Sequence, residues 1–265
     1  MLSALTRGVS PSIGDCKLTF MHREQVDVAA ATRQHEAYER CLQQMGVRVT
    51  PLPLMPEAPD AVFIQDTAVV VDEVAIMATM GAACRSGEVE SVTGALSSHR
   101  PLRYLSPPAT LEGGDVVRVG RTLYVGDSGR TNREGIRQLS EILAPYDYQV
   151  SPVGVKGCLH LSTGCSYLGR DLMLVNSAWI DSSAFRYFKL LEVPDTEPWA
   201  ANTIAVGDVV LVPSPFERTR ALIEAQGFQV ITTDISELQK AEGALTCMSL
   251  MFNSQPSSDA SQPAL

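Results

Sequence analysis

Six residues of this 265-residue chain have side chains able to do covalent chemistry together: Cys247, His160, Glu112, Asp115, Asp60 and Asp66. A thiol attacks only as thiolate, so it needs a neighbour that ionises it or takes its proton, and a histidine oriented by a carboxylate is the usual solution. Carboxylates left over can hold a cationic substrate through paired, charge-assisted hydrogen bonds, the geometry that guanidinium groups prefer. His160, in Gly157-Cys-Leu-His160, is the best candidate base, because His22, His35 and His99 lie in polar, helix-like or loop contexts. Each residue also has a plainer reading: a free cysteine is most often a small core residue, and a lone histidine is often simply packed. Cys158 and Cys165 read as core. In Leu111-Glu-Gly-Gly-Asp115 the acids could belong to a solvated turn, although consecutive glycines between carboxylates suit a backbone closely approached by a ligand.

Residues this far apart need a scaffold that gathers them. Four segments share one pattern of a small or polar residue, a short β-type run, a turn and a second apolar run: 66–77, 115–126, 164–175 and 202–213. Each predicts a β-hairpin, and the turns carry the polar and glycine-containing connections that tight reversals use. Their starts lie 49, 49 and 38 residues apart, the self-similarity of a repeat architecture. Helical stretches follow. Residues 132–143 place Ile136, Leu139, Ile142 and Leu143 on one face, and 26–45 and 218–226 are similar; each leads to another short strand, at 47–52, 148–151 and 227–233. The unit is ββαβ. With an opening copy near Arg7 to Phe20 and a closing strand at Thr246 to Phe252, about five units fit the length and predict closure about a pseudo-symmetry axis, with the hairpin starts at one central mouth. The competing architecture is an open α/β sheet whose strands share glycine turns.

Composition narrows the function. A hydrophobic fraction of 45% and a charged fraction of 19% suit a folded core, and a net charge of −9 argues against a nucleic-acid partner. No run of about 18 apolar residues occurs and the N-terminus lacks a leader pattern, so a soluble, cytoplasmic, unsecreted protein is expected, with no membrane partner. Six widely spaced cysteines read as reduced thiols. Residues 1–253 are expected to form a single catalytic domain, and 254–265 a disordered tail with almost nothing to bury.

Phe63-Ile-Gln-Asp66 before a hairpin, Leu111-Glu-Gly-Gly-Asp115, Gly157-Cys-Leu-His160 and Leu245-Thr-Cys-Met-Ser249 occur in the order and approximate spacing of the pentein superfamily of guanidine-modifying enzymes. Within it the chain most resembles the dimethylarginine dimethylaminohydrolase family, from about Leu18 to Phe252. The resemblance implies a five-bladed α/β propeller with one central active site. It implies Cys247 as nucleophile, His160 as general acid and base, and Glu112 as the carboxylate that orients the histidine. Asp66 would grip the guanidinium, with Asp60 and the Leu18 carbonyl near the substrate ammonium and Arg85 and Arg130 on its carboxylate. Phe63 and Gln65 belong to the substrate-binding motif, and Ala241 would contribute through its backbone. The implied reaction converts Nω-methylated arginine to citrulline and methylamine or dimethylamine, with no cofactor and no metal required, although Cys247 and His160 could capture inhibitory zinc.

Arginine deiminase shares these motifs but usually carries an extra helical domain, and an amidinotransferase also tends to be longer. A non-catalytic binder of cationic amino acids is disfavoured by the presence of thiol, imidazole and carboxylates together. Gln65 departs from the family, which commonly has glutamate there; the favoured reading is that the change leaves substrate preference unaltered. The residues near Gly14 to Thr19 carry turn signals that could make a lid. The sequence leaves open whether the chain forms a homodimer.

Overall fold

The computed structural model describes residues 1–254; the predicted tail, beyond Ser254, lies outside the described residues. Among the described residues, fifteen strands form five three-stranded sheets. In the first, β1 (Leu2–Arg7) lies between β2 (Arg48–Leu52), parallel to it, and the chain's last strand, antiparallel to it. The second sheet is β3 (Ala68–Val70), β4 (Ala75–Met77) and β5 (Leu102–Tyr104), and the third is β6 (Val116–Val119), β7 (Thr122–Asp127) and β8 (Gln149–Gly154). The fourth is β9 (Cys165–Gly169), β10 (Leu172–Val175) and β11 (Lys189–Glu192). The fifth is β12 (Ile204–Val206), β13 (Val209–Pro213) and β14 (Gln229–Thr233). The last strand is β15 (Ser249–Asn253). Every sheet repeats one plan, an antiparallel pair followed by a parallel third strand, which is the ββαβ unit closed into a five-unit α/β propeller.

All four sequence-predicted hairpins are present. Where they reverse, Gly120 and Gly207 each sit at φ +59°, a conformation that costs glycine little. The crossovers between the second and third strands carry α1 (Val28–Gln44), α2 (Ser86–Ser97), α3 (Arg133–Leu143) and, in the fifth sheet's unit, a later helix, Glu217–Glu224. Asn132 caps α3 by accepting from the Gly135 amide at 2.8 Å, and Ile136, Leu139 and Leu143 turn inward. In the fourth unit the crossover is only a 3-10 turn, Ser182–Phe185.

One expectation is corrected. The opening copy is not at Arg7 to Phe20: its strand is Leu2–Arg7, and the residues after it form a 3-10 turn, Ile13–Asp15, and irregular chain. The first unit therefore joins the two ends of the chain, with Leu2 opposite Asn253 and Thr6 opposite Ser249.

A short helical turn precedes the first strand of every antiparallel pair: Ile64–Thr67, Gly113–Asp115, α4 (Leu161–Gly164), Pro198–Ala201 and Thr246–Met248. They pack into a ring. The first touches the second and the fifth, and α4 touches the second and fourth. Asn202 closes the circuit, its amide group donating to Thr246 Oγ1 at 2.8 Å and accepting from the Thr246 amide at 3.0 Å. No helix among the described residues is long and apolar enough to cross a membrane.

Candidate active site

The ring of turns places Asp66, Glu112, His160 and Cys247 together, because each lies on, or immediately before, one of the turns. Cys247 is inside Thr246–Met248, His160 precedes α4 with extended backbone, and Glu112 precedes Gly113–Asp115. One small cavity is lined by Lys17, Asp60, Phe63, Asp66, Arg85, Arg130, Leu159, His160, Ala241, Glu242 and Cys247. Glu112 lies behind it, fully buried, with Oε2 at 2.7 Å from His160 Nε2.

Burial opposes ionisation of both members of the His160–Glu112 pair, but their mutual contact wins. Glu112 is held down at about 2 by the hydrogen bond and charge of His160 with help from Arg130, and His160 is held up at about 9 by Asp66, Glu112 and Asp115. The imidazole is therefore a proton donor near neutral pH. Its Nδ1 lies 3.7 Å from Asp66 Oδ1. Asp115 fixes the backbone just after it by accepting from the Leu161 amide at 2.9 Å, and Ser128 donates to the other Asp115 oxygen at 2.6 Å. Cys247 is pushed up to about 12, first by burial and then by the Asp66 charge. Burial and the Asp66 charge thus keep the thiol protonated near neutral pH.

Asp66 is shared. Its Oδ2 accepts from Arg85 Nη1 at 2.6 Å and its Oδ1 from the Gly114 amide at 3.1 Å. Arg85 is more occupied than its expected role suggests: its other nitrogens go to Glu88, at 2.8 to 3.2 Å, and to the Phe63 carbonyl at 3.1 Å. Burial works against that cation, yet Asp66 and Glu88 hold it firmly charged. Arg130 contacts Glu112 at 3.3 Å and Thr19 Oγ1 at 3.3 Å. Asp60 accepts from the Lys17 amide at 3.1 Å, and burial raises its carboxyl above the usual range.

Asp66, Glu112 and His160 offer donor atoms within 4.8 Å of one another, but each is already engaged by a partner on the protein. Cys158 and Cys165 pack in an apolar cluster with Leu161, Met173 and Phe185, as core thiols do. The paired glycines lie tightly against the protein's own groups. A Cβ on Gly113 would stand 2.1 Å from the Gln65 carbonyl, and one on Gly114 would stand 2.5 Å from Asp66 Oδ1 and 2.7 Å from His160 Nδ1.

Besides Glu112 and Asp115, which lie behind it, two sequence candidates fall outside the cavity lining. Leu18 is half-buried against the apolar cluster that includes Ile13, Cys16 and Ala241, although its neighbour Lys17 lines the site. Gln65 lines a different cavity, of about 480 Å³, among the innermost strands, and its Oε1 is buried there without a hydrogen-bond partner. Its side chain does not join the guanidinium clamp, because successive residues of the Ile64–Thr67 turn point to different sides. His35, in the helix expected over 26–45, lies on α1 and is buried. Three residues went unassigned in the sequence: Glu88, Lys17 and Glu242. Only Glu88 left a signal, an acid three residues after Arg85 at the start of a helix.

A family model described as N,N dimethylarginine dimethylhydrolase, eukaryotic, matches residues 15–197. The chain belongs to the dimethylarginine dimethylaminohydrolase family. It is 38% identical over 237 residues to the N(G),N(G)-dimethylarginine dimethylaminohydrolase of Pseudomonas aeruginosa, covering 89% of this chain and 93% of that protein. A solved structure of a cysteine-to-serine variant of that bacterium's enzyme, complexed with citrulline, superimposes with a TM-score of 0.90 at 36% identity, covering 94% of this chain and 98% of the other. A structure of the family's histidine-to-glycine variant, as an adduct with S-methyl-L-thiocitrulline, gives the same TM-score of 0.90 and covers 94% of this chain and 99% of its own.

Proposed function

We propose that the protein hydrolyses Nω-methylated arginine to citrulline and an alkylamine, with Cys247 as nucleophile. The observation that carries this is the meeting of a buried thiol, a protonated imidazole backed by a carboxylate, and a guanidinium-binding acid around one cavity. Family relatives named for this activity, one of them complexed with citrulline, support it.

The chemistry follows from the protonation states. A cationic guanidinium beside Asp66 offsets the charge that disfavours the thiolate, so Cys247 loses its proton to solvent when substrate is bound. Sγ then adds to the guanidinium carbon. His160 gives its proton to the leaving amine as the C–N bond breaks, leaving a covalent S-alkylthiouronium on Cys247. The imidazole, now neutral, takes a proton from water, the oxygen adds to the same carbon, and the C–S bond breaks to release citrulline. Glu112 keeps His160 oriented and charged throughout. Asp60 and Arg130 are suited to the ammonium and carboxylate of the amino-acid end, and Arg85 acts chiefly by holding Asp66 in place.

The test is citrulline formation from asymmetric dimethylarginine, monomethylarginine and arginine, with Cys247→Ser as control. Turnover of the methylated substrates that Cys247→Ser abolishes is the expected result. Citrulline from arginine alone would indicate a deiminase, and binding without turnover would indicate a cationic amino-acid binder.

A further inference from the structure

The site cavity is about 10 Å³, room for one water and not for an arginine side chain. The segment 17–21 borders it, with Lys17 in its lining and Thr19 against Arg130, and three separate side chains hold that segment down. Asp60 takes the Lys17 amide with both oxygens, at 3.2 and 3.1 Å. Arg130 reaches Thr19 Oγ1 at 3.3 Å. Glu242 takes three successive amides with one carboxylate: Thr19 at 2.9 Å, Phe20, and Met21 at 2.6 Å. Glu242 itself sits at φ +58°, a conformation that side chains other than glycine, asparagine and aspartate rarely adopt. It lies between Ala241, which lines the cavity, and Gly243, where a Cβ would stand 2.3 Å from the Phe63 ring. The carboxylate is thus aimed at the segment by a backbone that packing fixes.

The three anchors differ in one respect. In the reading given above, Asp60 and Arg130 are the groups that receive the amino-acid end of the substrate, so ligand binding competes with their hold on segment 17–21. Glu242 also lines the cavity, but its carboxylate is taken up by the three segment amides. We propose that Glu242 is a positioning residue that latches segment 17–21 over the active site, keeping it closed while Asp60 and Arg130 exchange their bonds to that segment for bonds to substrate. Opening this latch admits substrate and releases citrulline.

The proposal deepens the functional reading, and its main test does not need turnover. Amide exchange is followed in the wild type, Glu242→Ala, Glu242→Gln and Glu242→Asp, free and with saturating citrulline. The Thr19, Phe20 and Met21 amides should be protected in both wild-type states. They should exchange at least about tenfold faster in Glu242→Ala, as loss of a charge-assisted anchor requires, while α3 is unchanged. Glu242→Asp should restore part of the protection. If Glu242→Ala loosens α3 as well, the comparison passes to Glu242→Gln, in which selective loss at 19–21 is again expected. Unchanged protection at 19–21 in a folded variant overturns the latch. With methylated arginine as substrate, Glu242→Ala should raise KM about tenfold while kcat changes less than about threefold, because weaker closure costs binding more than bond-making. A fall in kcat at constant KM would also overturn it. Absence of citrulline from the wild type would refute the functional reading and leave the exchange result standing.

Discussion

An ordinary cysteine titrates near 9.0; Cys247 is raised to about 12 by burial and by the neighbouring Asp66 carboxylate. Its thiolate is therefore about a thousandfold scarcer than that of an exposed cysteine, a difference of about 4 kcal/mol. A cation bound at Asp66 is what recovers it. The assay is inactivation as a function of pH with two electrophiles, neutral iodoacetamide and a cationic haloacetamidine. Iodoacetamide should react slowly with Cys247, with a rate that climbs steadily from about pH 6 to about pH 10 without a plateau, because the thiolate fraction is still rising there. The cationic reagent should be faster by two orders of magnitude or more at about pH 7, since it brings the compensating charge with it. Asp66→Asn separates the two effects. Removing the carboxylate should speed iodoacetamide by relieving one cause of the raised thiol, and should slow both the cationic reagent and citrulline formation. A plateau for iodoacetamide below about pH 8 would mean a resting thiolate, and equal effects of Asp66→Asn on both reagents would refute the role given to the charge.

Three further outcomes follow from the same geometry. His160→Ala should lose more activity than Glu112→Gln in citrulline formation, because the imidazole moves protons and the carboxylate holds it; small, equal losses in both variants would count against the pair. The His160 contribution to stability is fully present below its unfolded value of 6.5 and lost as pH rises through about 9, so denaturant unfolding should show declining stability across that interval, and the decline should flatten in Glu112→Gln. Gly114→Ala puts a Cβ 2.5 Å from Asp66 Oδ1 and 2.7 Å from His160 Nδ1, so it should cut activity more than tenfold at a stability cost of roughly 1–3 kcal/mol, measured by steady-state kinetics beside chemical denaturation.

The four hairpins were legible because each announces itself locally, with two short apolar runs around a polar or glycine turn, and because the pattern recurs. In the first unit the helix, the strand at 47–52 and the closing strand were legible but β1 was not, since it pairs with β15 across the whole chain and no turn lies between them. The chemistry was readable for a related cause: every unit enters its first strand through a turn at the ring, so a reactive residue just before a hairpin is already at the centre. What could not be read is which way each turn residue points. Gln65 and Asp66 are neighbours, yet Asp66 faces Arg85 and the site while Gln65 faces another cavity with an unpartnered oxygen.

That contrast settles what the departure at Gln65 should do. A glutamate there would not extend the guanidinium clamp; it would add charge where even a neutral acceptor has no partner. Gln65→Glu should therefore cost stability, by about 1–3 kcal/mol, and leave the ratio of efficiencies on mono-, dimethylated and unmethylated arginine unchanged. A shifted ratio without loss of stability would mean that position 65 reaches the substrate after all. In the proposed reading the acidic grip on the guanidinium then belongs to Asp66 alone among the residues of the Ile64–Thr67 turn, and Asp66 is held by Arg85, whose remaining nitrogens are spent on Glu88 and the Phe63 carbonyl. Glu88, 22 residues beyond the hairpin start at Asp66, thereby anchors the arginine that holds Asp66, the charge that bears on Cys247.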